Sequence, residues 1–187
     1  MRSRLLRAAP AALIAFMGAS AAPLPAQPSP PAAYAEEDRD WGVAPTTRLR
    51  TAEYHAPTPR TIPGGRVVST AELSRMVEQD PRPYLIDVLG GGVHRTLAGA
   101  FWMIGAGAGD MSPEEEARFL KALAAFAGGD KGRPMVFFCV DAQCWLSYNA
   151  ALRAIAAGYT NVMWYRGGIA AWRAAGLPMA QSDPFFW

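Results

Sequence analysis

Three apolar segments that alternate with helical patterns constrain the fold of this chain most strongly. They lie at residues 83–88 (PYLIDV), 133–139 (RPMVFFC) and 161–165 (NVMWY), and none of them shows the apolar–polar alternation of a half-exposed strand. A strand that is apolar on both faces is typical of a parallel sheet packed between helices. The sequence therefore predicts an α/β fold with a central, mostly parallel sheet flanked by helices.

Four helical patterns separate and follow these strands, at residues 69–79, 111–129, 147–158 and 167–178. The second has the clearest boundaries, because Ser112 and Glu115 form the pattern of a capping box and Gly128 follows the last periodic residue. Ser69 and Glu72 form a similar pair at the first helix. Shorter strands are predicted at residues 66–69 and 100–105.

The N-terminal part of the chain has the composition of an export signal followed by an irregular segment. Residues 1–26 combine a basic start, an apolar run and small residues, which is the pattern of a cleaved secretory signal peptide. Residues 27–63 are rich in Pro and Ala without a steady period and are interpreted as an irregular arm or linker. The folded domain is expected over residues 64–187, in the periplasm and without stable membrane insertion.

The two cysteines of the chain, Cys139 and Cys144, lie in one short loop between a predicted strand and a predicted helix. Backbone amides and a helix dipole at such a position favour the thiolate over the thiol. A loop of this size also allows a disulfide. Three states stay open: a structural or redox disulfide, a persulfide nucleophile at Cys139 with Cys144 as its resolving partner, and two inert buried thiols. Asp87 is the third catalytic candidate, because ligands of parallel sheets bind at the carboxyl ends of the strands.

The other candidate residues surround this loop. The predicted binding residues are Val140, Asp141, Ala142, Gln143, Trp145, Ser147 and Arg166. Trp145 and Arg166 also have ordinary interpretations, as a packing residue and a solvated cation. No cofactor or metal site is predicted, because the two histidines, His55 and His94, are distant in sequence from the cysteines. Nucleic-acid binding is not predicted either, since the 18 basic residues form no block and face 16 acidic ones.

Four segments carry a resemblance to the rhodanese superfamily. They read YLIDVL, TLAGAFWM, VFFC with SYNAAL, and AGYTNVMWYRGGIAAWRAAGLP, and they span about residues 67–178. More narrowly, an exported chain with two close cysteines followed by Trp resembles the PQQ-dependent catabolism-associated CXXCW motif proteins. The resemblance implies a rhodanese-like three-layer fold with Cys139 as the persulfide-carrying position and a small sulfur-containing substrate. It also implies a periplasmic quinoprotein dehydrogenase or cytochrome c as partner.

The cysteine loop departs from the rhodanese pattern in length and in charge. Leu146 stands where the pattern has Arg, and the spacing from Cys139 to Ser147 is two residues longer. Sulfur donors such as thiosulfate are anions that bind to cations, whereas the charge in this loop is that of Asp141. The sequence therefore favours a cycling Cys139–Cys144 disulfide over sulfur transfer. The alternative is a non-catalytic binding module in which the disulfide is only structural.

Overall fold

The structure is a computed structural model that describes residues 36–187. The predicted signal peptide and residues 27–35 of the predicted arm lie outside the described residues. The strands are β1 (Arg66–Val67), β2 (Tyr84–Asp87), β3 (Arg95–Leu97), β4 (Phe101–Trp102), β5 (Met135–Phe138), β6 (Val162–Tyr165) and β7 (Met179–Gln181). The α-helices are α1 (Thr70–Met76), α2 (Pro113–Ala127), α3 (Trp145–Ala156) and α4 (Gly168–Ala174), and one 3₁₀ turn spans Glu36–Asp38.

The central sheet has five strands in the order β1-β6-β5-β2-β4. Every neighbouring pair is parallel. The strands β3 and β7 form a separate antiparallel pair, which the sequence analysis did not predict. This architecture confirms the predicted α/β fold class with helices on both faces of a parallel sheet.

Successive residues of the central strands point to opposite faces, and each face has its own core. On one face Phe137 and Trp164 pack in a cluster with Phe119 of α2 and Tyr148 of α3. On the other face the neighbouring strand residues, such as Val136 and Tyr165, pack with Leu73 of α1 and Trp172 of α4. Burial on both sides explains why these strands are apolar throughout. Each fully buried large apolar side chain contributes about 1.5–3 kcal/mol to stability.

The helix ends follow the local signals in part. The capping box of Ser112 and Glu115 is present in both directions, and Gly128 ends α2 in the left-handed conformation at φ 59°. Ser69 accepts from the backbone N–H of Glu72, but the carboxylate of Glu72 instead pairs with Arg66 at 2.5 Å. The predicted capping box of α1 is therefore only half formed.

Helix α3 begins at Trp145, two residues before the predicted start near Ser147. Its N-cap residue is Cys144, whose side chain makes no capping hydrogen bond. No polar cap in the sequence marks this boundary, which explains the error. As a result, the loop between β5 and α3 is shorter than predicted.

The described part of the predicted arm runs over the domain without forming an α-helix or a strand of its own. Ile62 is buried, and Val43, Leu49 and Tyr54 pack against the same core as α2 and α3. The boundary between arm and domain at residue 63 stays a prediction. The segment nevertheless contributes apolar surface to the core, which gives it a stabilising role.

Candidate functional site

Three neighbouring strands bring the predicted site residues to one edge of the sheet. The order β6-β5-β2 places these strands side by side, and Phe138 pairs with both Tyr165 and Asp87. Cys139 and Arg166 each come one residue after their strand. Parallel strands all present their carboxyl ends at the same edge, so these residues lie on one level.

Cys139 and Cys144 form a disulfide in this structure, with their Cα atoms 6.1 Å apart. Of the three states that the sequence left open, the structure therefore shows the oxidised pair. The two residues are only 1% and 4% exposed. A reagent that attacks either sulfur must first displace part of the protein that covers them.

The backbone of the cysteine loop is held by hydrogen bonds within the protein. Asp141 accepts from the N–H of Gln143 on its carboxylate, at 2.9 Å, and from the N–H of Cys144 on its carbonyl, at 3.2 Å. The N–H of Trp145 donates to the carbonyl of Tyr54 at 2.8 Å. Three backbone amides of the loop thus already have acceptors within the protein, and the capacity of the loop to bind an anion is reduced.

Two glycines allow close packing at the start of helix α4, Gly168 against this loop and Gly167 against Glu37. A Cβ on Gly168 would lie 2.4 Å from the carbonyl oxygen of Cys139, and its φ of 59° is in the left-handed region. The N–H groups of Ile169 and Ala170 then donate to the carbonyls of Cys139 and Val140. A larger residue at position 168 would separate the helix from the loop. The Gly-Gly pair of the YRGGIAAW segment therefore has a defined steric role.

Trp145 and Ser147 stabilise the loop rather than face an open pocket. The indole N–H of Trp145 donates to the carbonyl of Pro57 at 3.1 Å, and the side chain is almost fully buried. The hydroxyl of Ser147 donates to the carbonyl of Cys144 and accepts from the indole N–H of Trp164. Both residues lie next to the disulfide, but each already has protein partners. Ala142 is buried beside them, whereas Val140, Asp141 and Gln143 are half-buried.

The guanidinium of Arg166 is buried and directed at the arm. It donates to the carbonyls of Glu37, Arg39 and Thr58 and to the hydroxyl of Thr58. Burial, and secondarily the nearby Arg60, lowers the pKa of Arg166 from its ordinary value. The predicted cation thus binds the arm, and these hydrogen bonds do not extend to the disulfide.

Asp87 forms a second polar cluster at the same edge of the sheet. Its carboxylate is fully buried and accepts from the N–H of Leu89 at 2.9 Å and the hydroxyl of Thr96 at 2.6 Å. His94 Nε2 lies 2.7 Å from Oδ2, the same carboxylate oxygen that accepts from Thr96. In the tautomer whose Nε2 carries the proton, Nε2–H donates to this carboxylate oxygen. Sequence analysis assigned no role to His94, whose contact with Asp87 arises from the chain reversal of the Gly-rich loop.

The imidazole of His94 connects Asp87 to the C-terminal segment. Its Nδ1 lies 3.1 Å from the carbonyl of Gly92 and 3.3 Å from the hydroxyl of Ser182. The backbone N–H of His94 also donates to that hydroxyl at 2.9 Å. These bonds fix the two ends of a glycine-rich loop whose Val93 is exposed. Asp87 therefore orients this loop, and its hydrogen bonds do not extend to the cysteines.

The arm covers the disulfide and is hydrogen-bonded to two residues of helix α3, Tyr148 and Asn149, that the sequence analysis did not single out. The hydroxyl of Tyr148 donates to the carbonyl of Thr46 and accepts from its N–H. The amide of Asn149 makes the same pair of bonds with the backbone of Arg50. Two adjacent polar residues on a buried helix face were the available signal, because buried polar side chains require partners.

The described residues contain no cluster of His, Cys, Asp or Glu that could hold a metal ion. Over the same residues, 36–187, no helix has the length and apolar character that crossing a bilayer requires. At the cysteine loop, Nδ1 of His55 lies 3.9 Å from Oδ1 of Asp141.

Comparisons with known proteins give a family match and a distant structural likeness. Residues 69–175 match the family described as the rhodanese-like domain. A yeast protein tyrosine phosphatase of the rhodanese family is 18% identical in a structural alignment that covers 61% of this chain and 88% of that chain, with a TM-score of 0.47. The search of curated proteins finds no significant match.

Proposed function

Because the chain belongs to the rhodanese-like domain family, we propose that it is a thiol–disulfide protein built on the rhodanese scaffold. The observation that carries the proposal is the Cys139–Cys144 disulfide at the carboxyl end of the β5 strand. The resemblance to the family implies that Cys139 carries the reactive sulfur. The structure adds a second sulfur within bonding distance, which is the requirement for reversible two-electron chemistry.

The reaction is an exchange with the dithiol of a partner protein. A thiolate of the partner attacks one sulfur, a mixed disulfide forms, and the other cysteine leaves as a thiolate that takes a proton from solvent. The second thiolate of the partner then displaces the cysteine from the mixed disulfide. The partner becomes oxidised to a disulfide, and Cys139 and Cys144 become reduced by the same two electrons. The reverse direction regenerates the starting pair.

Sulfur transfer from an anionic donor has less support than disulfide exchange. Such a donor needs a cation close to the reactive sulfur. Arg166 donates to the arm instead, and the charge within the loop is that of Asp141. An oxidised Cys139 also cannot accept a sulfane sulfur until a reductant opens the disulfide.

A non-catalytic binding module is the second candidate, and the burial of the disulfide favours it. Cys139 and Cys144 are only 1% and 4% exposed, and such burial is typical of a structural cross-link. In that function the disulfide would only stiffen the loop between β5 and α3. The two candidates differ in whether the folded protein can be reduced and reoxidised.

We further propose that the protein is exported to the periplasm and serves quinoprotein-dependent alcohol oxidation. The support is the signal-peptide pattern of residues 1–26 and the resemblance of the Cys-x4-Cys-Trp segment to the CXXCW motif proteins. A periplasmic quinoprotein dehydrogenase or cytochrome c would then be the partner.

A growth experiment tests this proposal in the source organism. Loss of the protein should slow growth on alcohols but not on succinate. The variant lacking Cys139 and Cys144 should not restore growth on alcohols. Full restoration of growth by that variant would refute the proposed redox function.

The decisive experiment is a redox titration of the folded protein. The protein is equilibrated in dithiothreitol buffers of defined reduction potential, and its free thiols are trapped with an alkylating reagent. Intact-mass spectrometry then gives the fraction of reduced protein. A functional disulfide should open reversibly with a midpoint above about −300 mV, whereas a structural one should resist reduction until the protein unfolds. The double substitution Cys139→Ser with Cys144→Ser is the control that takes up no reagent. Incubating the reduced protein with thiosulfate tests the alternative, since a gain of one sulfur at Cys139 would establish sulfur transfer.

A further inference from the structure

The arm binds the cysteine loop as an extra extended segment would bind a sheet edge. Around the antiparallel bridge of His55 with Cys144, the N–H of Ala56 donates to the carbonyl of Gln143 at 2.8 Å. On the other side the N–H of Trp145 donates to the carbonyl of Tyr54, also at 2.8 Å. These bonds use only main-chain groups of the arm. Any extended segment can supply the same groups, whatever its side chains.

The next two contacts continue this docking strip, which we define as residues 142–145. The indole N–H of Trp145 donates to the carbonyl of Pro57 at 3.1 Å, so a residue without an N–H is accommodated there. The hydroxyl of Thr58 donates to the carbonyl of Ala142 at 2.5 Å. Arg166 then binds the same threonine. The docking strip therefore offers four hydrogen bonds to a segment of five residues, of which one involves a side chain of that segment.

The register of the bridge pairs one arm residue, His55, with a cysteine of the disulfide. His55 and Cys144 are flanked by the hydrogen bonds rather than joined by them, so they form a non-hydrogen-bonded antiparallel pair. In such pairs the two Cβ atoms are about 4.5–5.5 Å apart and on the same side. The Cβ separation in disulfides is about 3.5–4.5 Å. A cysteine in place of His55 would thus need only a small shift to reach Cys144.

We propose that the docking strip is a binding site for an extended, cysteine-bearing segment of a partner protein, which replaces arm residues Tyr54–Thr58. This inference rests on the proposed thiol–disulfide function and names its substrate class. The partner's cysteine takes the position of His55, and its thiolate attacks the sulfur of Cys144. The Cys139–Cys144 bond breaks, Cys139 leaves as the thiolate and takes a proton from solvent, and the partner is joined to Cys144. A second partner thiolate then releases Cys144 and completes the oxidation of the partner.

The arm stays attached to the domain on the N-terminal side of the covering segment, Tyr54–Thr58. Thr46 and Arg50 both form hydrogen bonds with side chains of α3. Within the covering segment, the side chain of His55 is 66% exposed. The exchange releases the bonds between Thr58 and Arg166, while Thr46 and Arg50 keep the arm on the domain.

The first test introduces the reacting group into the arm itself. In the full chain with His55→Cys, we expect the introduced thiol to exchange with the disulfide, giving a cross-link to Cys144 and a free Cys139. Peptide mapping after an acid quench identifies the pairing. The matched control is Ala52→Cys, an exposed position on the same arm. A cross-link to Cys139 instead, or equal exchange by the control, would overturn the proposed geometry.

The second test supplies the segment from outside. A blocked peptide of residues 51–59 with cysteine in place of His55 should react with the folded protein about tenfold faster than the same peptide with cysteine in place of Ala52, because docking raises the local thiol concentration. Its product should be joined to Cys144. The protein variant Tyr148→Phe lacks the hydrogen bonds between α3 and Thr46 of the arm. It should react with the peptide that carries cysteine in place of His55 faster than the wild-type protein does. Equal rates of the two peptides would refute the docking site.

The two proposals fail in different ways. If dithiothreitol reduces the folded protein but neither peptide nor introduced thiol shows a preference, the docking strip is refuted and the redox function stands. If no dithiol reduces the folded protein, the redox function itself is refuted. Reaction at Cys144 in both tests supports both proposals.

Discussion

Glu37 shows how a single buried carboxylate couples the arm to the domain. It accepts from the N–H of Thr70 at 3.0 Å and from the hydroxyl of Thr70 at 2.5 Å, at the first turn of α1. Burial raises the pKa of Glu37 from its ordinary value of 4.5, and this effect exceeds the lowering by the bonds from Thr70. The folded protein therefore holds this proton more tightly than the unfolded chain does.

The substitution Glu37→Gln should stabilise the protein at neutral pH and not at low pH. The stabilisation from a raised pKa is fully present below the unfolded value of 4.5 and is lost as the pH rises through the folded pKa. Glutamine keeps an oxygen acceptor for Thr70 and carries no charge. Urea unfolding at pH 8 should show a gain in the free energy of unfolding that shrinks toward zero below pH 4.5. A less stable variant at pH 8 would contradict this, and Glu36→Gln on the surface is the control.

Asp87 is a second residue whose chemistry follows from its partners. The carboxylate satisfies three donors, from Leu89, His94 and Thr96, and is fully buried. Asp87→Asn replaces one acceptor oxygen by an NH2 group, which faces a donor. We expect the free energy of unfolding to fall by about 1–3 kcal/mol, the cost of an unsatisfied buried group. Urea unfolding measures this against the exposed control Asp183→Asn, and a change below about 0.5 kcal/mol would contradict it.

At the scale of elements, the loop between β5 and α3 is closed by its disulfide. The two cysteines are five residues apart in sequence. Closing a loop this short lowers the entropy of the unfolded chain by an amount equivalent to about 2 kcal/mol at 25 °C. The same loop also carries the N-cap of α3 and the bridge to the arm. Loss of the cross-link should therefore affect the loop, the helix start and the arm together.

Reduction of the disulfide should lower the free energy of unfolding by about 2 kcal/mol. The measurement compares urea unfolding of the oxidised wild type with the same protein held reduced by a phosphine. Trypsin cleavage after Arg60 follows the arm in parallel, and reduction should accelerate it. Unchanged stability together with unchanged cleavage would show that the loop keeps its structure without the bond.

At the scale of the whole molecule, the arm and the sheet form one core. Ile62 is 4% exposed, and Val43, Leu49 and Tyr54 pack against residues of α2 and α3. The hydrogen bonds from Tyr148, Asn149 and Arg166 add to this apolar contact. A removable linker would make few such contacts.

A chain that begins at residue 64 should therefore be less stable than one that begins at residue 36. Burial of Ile62 contributes about 1.5–3 kcal/mol, and each buried hydrogen bond to the arm about 1 kcal/mol. We expect the free energy of unfolding to fall by at least about 4 kcal/mol, which thermal unfolding of the two chains by circular dichroism can measure. Equal stability would identify residues 36–63 as a separable linker.

The sequence predicted much of the fold and only part of the site. Strands that are apolar on both faces predicted the parallel sheet, and local signals such as Ser112 and Gly128 placed helix α2. The position of Cys139 and Asp87 at the carboxyl edge followed from the same pattern. These features depend on residues close together in the chain, so a linear pattern contains the information.

The contacts of the arm with the domain, the role of Arg166 and the contact of His94 with Asp87 were not predictable in this way. Arg166 binds carbonyl groups up to 129 residues away, and carbonyl groups have no sequence signature. His94 meets Asp87 only because a loop with consecutive glycines turns back on its strand. Helix α3 begins at Trp145 because the disulfide and the arm hold its N-cap residue, Cys144, and no polar cap marks the position.

The sequence by itself determined the layered α/β architecture and the edge at which its cysteines lie, because apolar periodicity and caps act locally. Only the tertiary structure decided that the two sulfurs are bonded, buried and covered by an extended segment of the same chain. That outcome depends on main-chain hydrogen bonds between distant segments, such as Ala56 with Gln143. Since every residue carries the same main-chain groups, side-chain patterns do not specify such bonds.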